Sequence, residues 1–468
     1  MPSASEANDA LPPAAGPPGA WAVAAGTRRL LEGPILPTLL RLAGPNMVEA
    51  LARVGFITFD AYYVAWLGPE SLAGISLVFP PFILMQTMSA GGMGGGVASA
   101  IARALGAGRR AEADALVTHA VVTALVMAAA FTAAGWLYGP ALYRLMGGAG
   151  GTLAAAVTYS HVMAADSVAV WLMNTLANVV RGTGNMIVPA GAIVVGGVVH
   201  VTLAPALILG WGPLPCLGVA GAATAAIASY AMGSLILLWY LISGRGLVRL
   251  TAVGQYLQRR LFSDILAVGL PSSLATIQFQ LINFVMVGAI GRFGTPALAG
   301  YGAATRLEMV QVPVIFGFGS ALVAMVGTNV GAGQVSRARR VAWLGTLIGA
   351  VIGGGIGMLG AVFPEAWMAR FASESEVISI GATYLRIVGP TYLCFGMGVA
   401  LYFAAQGAGQ VLWPLLAVTG RLVMTAAGVW AATRLFGAGL TAIFVINALG
   451  FMLLGLVMLV ACKARLLR

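Results

Sequence analysis

Residues 41–74 read RLAGPNMVEALARVGFITFDAYYVAWLGPESLAG, and residues 267–300 read AVGLPSSLATIQFQLINFVMVGAIGRFGTPALAG. Laid over each other at an offset of 226 residues, the two segments pair Pro45 with Pro271, Gly68 with Gly294, Leu72 with Leu298 and Gly74 with Gly300. At an offset of 225, RALGAGRRAEA (103–113) meets TNVGAGQVSRA (328–338), and VVRGTGNMIVP (179–189) meets AAQGAGQVLWP (404–414). The chain therefore contains an internal duplication, which we expect to set its fold.

The composition predicts a membrane protein. Of 468 residues, 60% are hydrophobic and 8% are charged, whereas soluble globular proteins carry roughly 25% charged residues. Apolar runs of about 20 residues or more, long enough to cross a bilayer as helices, lie at 35–66, 70–104, 112–139, 152–180, 187–210, 217–243, 262–291, 296–328, 337–362, 377–405, 411–435 and 438–462. We expect an all-α polytopic membrane protein with twelve transmembrane helices.

The duplication predicts how these helices are arranged. Each half has six spans, an even number, so both halves begin on the same side and form a parallel repeat. We expect an N-lobe at 34–243 and a C-lobe at 263–468, which face each other across a central cavity. A basic cytoplasmic linker at 244–262 joins them, and residues 1–33 form a disordered cytoplasmic tail without the features of a signal peptide.

The distribution of positive charge predicts the orientation. With the N-terminus inside, sixteen Lys and Arg residues fall in cytoplasmic segments and four fall outside, which is the positive-inside pattern. Both termini are therefore expected in the cytoplasm, and the net charge of +11 indicates orientation rather than a nucleic-acid partner. The three cysteines, Cys216, Cys394 and Cys462, fall in different regions and predict neither a disulfide nor a metal site.

Several short segments resemble the multidrug and toxic compound extrusion (MATE) transporters. They are the early prolines of spans one and seven, FDAYYVAWLGPESLAGISL at 59–77, GAG after spans two and eight, RGTGN after span four and LGVAGAATAAIASY at 217–230. The resemblance covers about residues 35–462 and is nearest to the bacterial branch that includes DNA-damage-inducible F and the NorM-type pumps.

This resemblance implies two lobes in a V and efflux of amphipathic, often cationic drugs in exchange for protons or sodium ions. We accordingly expect a monomeric antiporter of the cytoplasmic (inner) membrane, acting on small organic substrates. It would not be an enzyme, and it would use no cofactor or metal besides the coupling ion, H+ or Na+.

Asp60 is the first candidate for proton coupling, because it matches the carboxylate that the family shares in its first helix. Removal from water favours the neutral form of a carboxyl group, which brings proton exchange toward physiological pH. In span five, family members often carry Asn and Asp four residues apart, where this chain has His200 and Ala204. His200 is therefore a second candidate, and the missing carboxylate favours a proton over sodium, which needs several oxygen ligands. The alternative for Asp60 is a structural hydrogen bond to a neighbouring helix or a wet position near the outer surface, and the alternative for His200 is a packing residue.

Other polar residues at membrane depth are further candidates. Asp166 in span four is a further possible coupling carboxylate, unless it lies at a wet outer level. The cavity candidates are Asn174, Asn178, Gln278, Gln280 and Glu308. Interhelical hydrogen bonding is an equal alternative for the two asparagines, and Glu308 either pairs with an arginine or provides negative potential for cationic substrates.

Two further features have structural interpretations. Glu49 and Arg53 are four residues apart on one helix face and predict an internal ion pair. The glycine run GGMGGG at 91–96 has no preceding strand and no following Lys-Ser/Thr, so it predicts close helix packing or a hinge rather than a phosphate loop.

Two other functions remain open from the sequence. A flippase of the same superfamily would move lipid-linked sugars, but it would need a strongly basic cavity, whereas the embedded charges here are mixed. An intramembrane transferase would need a convergent acid/base set, and His119, His161 and His200 are scattered.

Overall fold

The computed structural model describes residues 25–210, 215–250 and 257–464, in which the regular structure is helical. The first half contains α1 (Ala25–Glu32), α2 (Ile35–Ala65), α3 (Pro69–Thr87), α4 (Gly94–Gly106), α5 (Arg110–Leu145), α6 (Gly150–Ala165), α7 (Ser167–Gly182), α8 (Ile187–Leu209) and α9 (Val219–Ile242). The second half contains α10 (Arg259–Ile290), α11 (Thr295–Gly331), α12 (Val335–Val362), α13 (Pro364–Met368), α14 (Ser375–Val388), α15 (Tyr392–Ala408), α16 (Leu412–Arg434) and α17 (Leu440–Ala464).

The helices agree with the predicted twelve spans. Within the described residues, ten helical segments are long and apolar enough to cross a membrane, and α6 with α7, bent by 49°, makes an eleventh. The remaining span is α2, which is 31 residues long and carries four charged residues. The prediction of an all-α, polytopic fold is confirmed.

Two predicted boundaries need correction. The proposed disordered tail at 1–33 ends in a helix, α1, whose Leu30 is 3% exposed and accepts a hydrogen bond from Asn329 Nδ2 (3.1 Å); residues 1–24 lie outside the described part. The proposed linker at 244–262 ends in the first turn of α10, which begins at Arg259. The described residues of this linker contact α5, because Asp114 of α5 accepts a hydrogen bond from the backbone amide of Arg249.

The duplication is visible in the packing of each half. A Cβ built on Gly182 would lie 2.8 Å from the carbonyl oxygen of Ala98, and one on Gly407 would lie 2.7 Å from that of Val323. Both glycines and both carbonyls are related by the 225-residue offset. Because the same close helix contact recurs at equivalent positions, the two halves repeat one local architecture.

The halves join where α4 meets the C-terminal ends of α11 and α15. Ser99 Oγ donates to the carbonyl oxygens of Gln406 (2.5 Å) and Gly407 (3.0 Å). A methyl group on Gly106 would overlap the carbonyl oxygen of Thr328, and one on Gly331 would overlap that of Arg103. Backbone therefore packs directly against backbone where α4 meets α11, at the end that the charge pattern predicts to be cytoplasmic.

The glycine run at 91–96 packs against α10 of the second half. Residues Met88–Met93 form a π-helical turn between α3 and α4. A Cβ on Gly92 would lie 2.6 Å from Ser273 Oγ, and one on Gly96 would lie 2.7 Å from the Gly269 amide nitrogen. Close packing, one of the two predicted roles of this run, is confirmed.

Candidate functional site

A cavity of about 420 Å³ lies between the halves, within the usual size range of small-molecule sites, roughly 300–1,000 Å³. Residues from α2 to α4 and α6 to α9 line it on one side, and residues from α11 and α15 line it on the other. Its aromatic lining includes Phe56, Phe82, Tyr159, Tyr230, Phe316 and Phe403. A largely apolar wall with a few polar groups suits an amphipathic organic molecule.

Charged residues of α2 and α7 meet on the wall of this cavity. Glu49 Oε2 accepts from Arg181 Nη2 (2.6 Å), and Glu49 Oε1 accepts from Arg53 Nε (3.2 Å). Glu49 and Arg181 are each 7% exposed. The predicted ion pair between Glu49 and Arg53 is confirmed, and the structure adds Arg181 to it.

Amide side chains link α7 to the π-helical turn. Asn174 Nδ2 donates to Gln86 Oε1 (2.9 Å) and Ser89 Oγ (2.8 Å). Asn178 lines the cavity and donates to the carbonyl oxygens of Ala90 (3.0 Å) and Asn174 (2.8 Å). Interhelical hydrogen bonding therefore accounts for Asn174, whereas Asn178 both supports the turn and faces the cavity.

The two first coupling candidates occupy different helices. His200 lies in α8, is 8% exposed and lines the cavity. Asp60 lies in α2, but its side chain is outside the described part of the structure. Glu49, Arg53 and Phe56 line the cavity from α2, and position 60 continues their spacing along one helical stripe.

Asp166 lies at the bend between α6 and α7, apart from the residues that line the cavity. It is 2% exposed, so the alternative of a wet outer position is wrong. Neither carboxyl oxygen has a hydrogen-bond partner among the described residues. Such a group is unfavourable in a folded protein unless it is neutral or serves a function.

Glu308 lies within a cluster of aromatic hydroxyls in the second half. Its Oε1 accepts from Tyr384 Oη (2.7 Å) and Tyr392 Oη (3.0 Å), and Asn447 donates to Tyr384 Oη (3.1 Å). No ion pair to Glu308 occurs in the described ranges, and Arg306 instead lies 4.8 Å from the ring centroid of Phe371. A direct ion pair between Glu308 and an arginine is therefore not formed among the described residues, although the buried guanidinium of Arg421 acts on Glu308 electrostatically.

The remaining candidates do not line this cavity. Gln278 Nε2 donates to Thr419 Oγ1 (2.9 Å), and Gln280 Oε1 accepts from Asn283 (3.4 Å); both contacts lie within the second half. The three cysteines are unpaired. Within residues 25–210, 215–250 and 257–464, no three His, Cys, Asp or Glu side chains are grouped as a metal site would require.

Arg181 and Gln406 are site residues that the sequence did not single out. Arg181 follows an apolar span, so in the sequence it resembles an orientation charge, and its partner Glu49 is 132 residues away. Gln406 Nε2 bridges the halves by donating to the Gly91 carbonyl (2.9 Å) and to Ser272 Oγ (3.0 Å). A signal was present, because the pairing of VVRGTGN with AAQGAGQ aligns these two positions.

A duplicated bundle of membrane-spanning helices around a small-molecule cavity defines a membrane transporter. Comparison with known proteins gives the family. The MatE family model matches residues 45–206 and again 271–430, starting 226 residues apart, as the repeat does. The chain belongs to this family, the MATE family of efflux transporters.

Similar proteins span most of the chain. A protein named FAD transporter from Shewanella oneidensis is 26% identical over 375 residues, 80% of this chain and 82% of that protein. A probable multidrug resistance protein NorM from Deinococcus radiodurans is 30% identical, covering 81% of this chain and 84% of that one. The structure of a MOP superfamily transporter from Pyrococcus furiosus is 26% identical, with a TM-score of 0.86 over 95% of this chain and 98% of that one.

Proposed function

We propose that the chain is a secondary active exporter of amphipathic organic compounds, in which the two lobes alternate between inward and outward openings. The observation that carries this proposal is the cavity of about 420 Å³ between duplicated halves. Backbone contacts close the halves at one end of that cavity. Separation of these contacts, with closure at the opposite end, would expose the same cavity to the other side of the membrane.

The counter-ion in this proposal is a proton. Asp60 and His200 would carry it on helices α2 and α8, and Ala204 replaces a further carboxylate on α8. Glu49 already accepts from two guanidinium groups, so it is a poor additional ligand for sodium. A proton needs one base, whereas a hard metal cation needs several oxygen ligands.

Substrate charge remains part of the proposal. The sequence favours amphipathic cations through its family resemblance, and that expectation stays a prediction. One relative is named as an FAD transporter, so the named relatives are not uniform in substrate. A lipid-linked sugar flippase remains the runner-up, and an intramembrane transferase is a remote alternative. We also propose that the transporter is a monomer of the inner membrane with both termini in the cytoplasm and is not an enzyme.

The test is dye transport in proteoliposomes under an imposed pH gradient and, separately, an imposed sodium gradient. Wild-type protein should move dye under the pH gradient. Asp60→Asn and His200→Ala should each reduce this transport. Glu32→Gln is a matched control, because its side chain is 70% exposed on α1 and its substitution should leave transport unchanged.

Sodium-driven transport in wild type would overturn the proton assignment. Unchanged transport by Asp60→Asn, with the variant inserted to the wild-type level, would remove Asp60 from the coupling site. Transport in neither gradient, with scrambling of a fluorescent lipid in the same vesicles, would favour the flippase.

A further inference from the structure

We propose that the cluster of Glu49, Arg53 and Arg181 binds the anionic group of an amphipathic organic substrate, a carboxylate or a phosphate attached to an apolar or aromatic body. This inference rests on the proposed export function, because it names the substrate class of the same cavity. It is opposite in sign to the cationic substrates that the family resemblance implies.

The charges on the cavity wall do not balance. The charged side chains described there are two arginines and one glutamate, so the cluster keeps one excess positive charge. Arg181 is buried against Glu49 at 2.6 Å, so the excess charge falls on Arg53, whose side chain is 30% exposed beside the cavity and only partly hydrated. An anion that enters the cavity would balance that charge.

The two guanidinium groups also have unused hydrogen-bond donors. Each guanidinium has five N–H groups, but Arg53 donates to Glu49 through Nε and Arg181 donates through Nη2. Arg181 Nε is buried without an acceptor among the described residues. Guanidinium groups with free N–H groups bind carboxylates and phosphates in a planar, often bidentate geometry.

The duplication allows the charged cluster to be compared with the equivalent positions of the second half. The repeat aligns Glu49 with Ala275, Arg53 with Phe279 and Arg181 with Gln406. The second half thus has neutral side chains at all three aligned positions. We infer that the charges in the first half serve binding rather than the repeated architecture.

The rest of the wall matches the body of such a substrate. Phe56, Phe316 and Phe403 line the cavity and can pack on an apolar or aromatic group. Asp60 lies seven residues beyond Arg53 on α2, roughly 10 Å along the helix axis. The anion site is thus separate from the proposed proton site, although both lie on one helix.

The experiment measures binding to purified protein with two xanthene dyes of opposite charge, anionic fluorescein and cationic rhodamine 123. Binding is followed by fluorescence anisotropy, and transport of both dyes is measured in parallel. Wild type should bind fluorescein more tightly. Benzoate and phenyl phosphate, added as competitors, distinguish a preference for carboxylate from one for phosphate.

Two variants test the cluster, and a third serves as the control. Arg53→Gln should weaken fluorescein binding about tenfold, because it removes a charged hydrogen-bond donor while the Glu49–Arg181 pair remains. Glu49→Gln should strengthen fluorescein binding, because it removes the competing carboxylate. A merely structural role would instead weaken binding in both variants. Arg292→Gln, an exposed arginine outside the cavity, should leave binding unchanged.

Absence of fluorescein binding by wild type, or equal binding by wild type and Arg53→Gln, would overturn the anion proposal. Transport of rhodamine 123 alone would also overturn it while leaving the export function intact. Fluorescein binding without transport of either dye would refute export and leave the anion site standing.

Discussion

Gly106 and Gly331 hold equivalent positions in the two halves, 225 residues apart, and each lies against a backbone carbonyl of the opposite half. The carbonyls belong to Thr328 and Arg103, which are themselves equivalent. The contact is therefore reciprocal, like an isologous interface between two identical subunits. A methyl group at either glycine would meet rigid backbone rather than a side chain that can move.

Gly106→Ala should hold the two halves apart where α4 meets α11. The distance between spin labels at Arg110 and Ser336, on cysteines introduced after replacement of the natural ones, should lengthen, and dye transport should fall. Gly302→Ala on α11 is the control, since nothing lies within 4 Å of its added Cβ. Identical distance distributions in the two variants would disprove a closing role for Gly106.

The charged cluster can be converted into its counterpart from the second half. The triple variant Glu49→Ala, Arg53→Phe and Arg181→Gln should melt near the wild-type temperature, because the second half folds with those residues. Arg181→Gln alone should lower the stability by about 3 kcal/mol, since it disrupts a buried ion pair. Thermal unfolding in detergent measures the stability of the triple variant and of Arg181→Gln. A triple variant less stable than Arg181→Gln would show that the charges are structural.

Removal of the carboxyl group of Asp166 should stabilise the protein. Asp166→Ala removes a buried polar group without a described partner, for a gain of about 1–3 kcal/mol. Asp114→Ala should instead destabilise the protein, because Asp114 accepts a hydrogen bond from the backbone amide of Arg249 at 2.8 Å. If Asp166→Ala melts higher but transports less, Asp166 takes part in coupling; a lower melting temperature would contradict the prediction.

Hydroxyl removal around Glu308 should have graded effects on stability. Tyr384→Phe removes two hydrogen bonds, from Tyr384 to Glu308 and from Asn447 to Tyr384, whereas Tyr392→Phe removes one described bond. At about 1 kcal/mol or more for each bond, Tyr384→Phe should lower the melting temperature further. The opposite order would show that Tyr392 is the main partner of Glu308.

The fold was accessible from the sequence because the features that set it are local or repeated. Apolar length locates the helices, and the pairing of Pro45 with Pro271 and Gly74 with Gly300 reveals the duplication. The predicted boundaries of the tail and of the linker were wrong, because α1 and the start of α10 are helical although they carry charged and polar residues.

The site was less accessible because its geometry depends on distant segments. Glu49 and Arg53 are neighbours on one helix, so their pairing follows from spacing. The approach of Arg181 depends on how α7 packs beside α2, and a residue at the end of a span looks like an orientation charge. Tyr384 and Tyr392 likewise reach Glu308 from other helices, and tyrosine in an apolar span carries no sign of its partner.

The excess positive charge of the cavity has an electrical consequence. Movement of one elementary charge across a membrane with a potential of 100 mV involves about 2.3 kcal/mol. On the described charges, the cluster neutralises a monovalent anion in the loaded step, whereas in the return step of the proposed antiport, with a proton bound in place of the anion, it keeps its excess charge. Voltage would then act on the proton-bound return step rather than on the loaded step, so the membrane potential would set the turnover even of a substrate whose own passage is electrically silent.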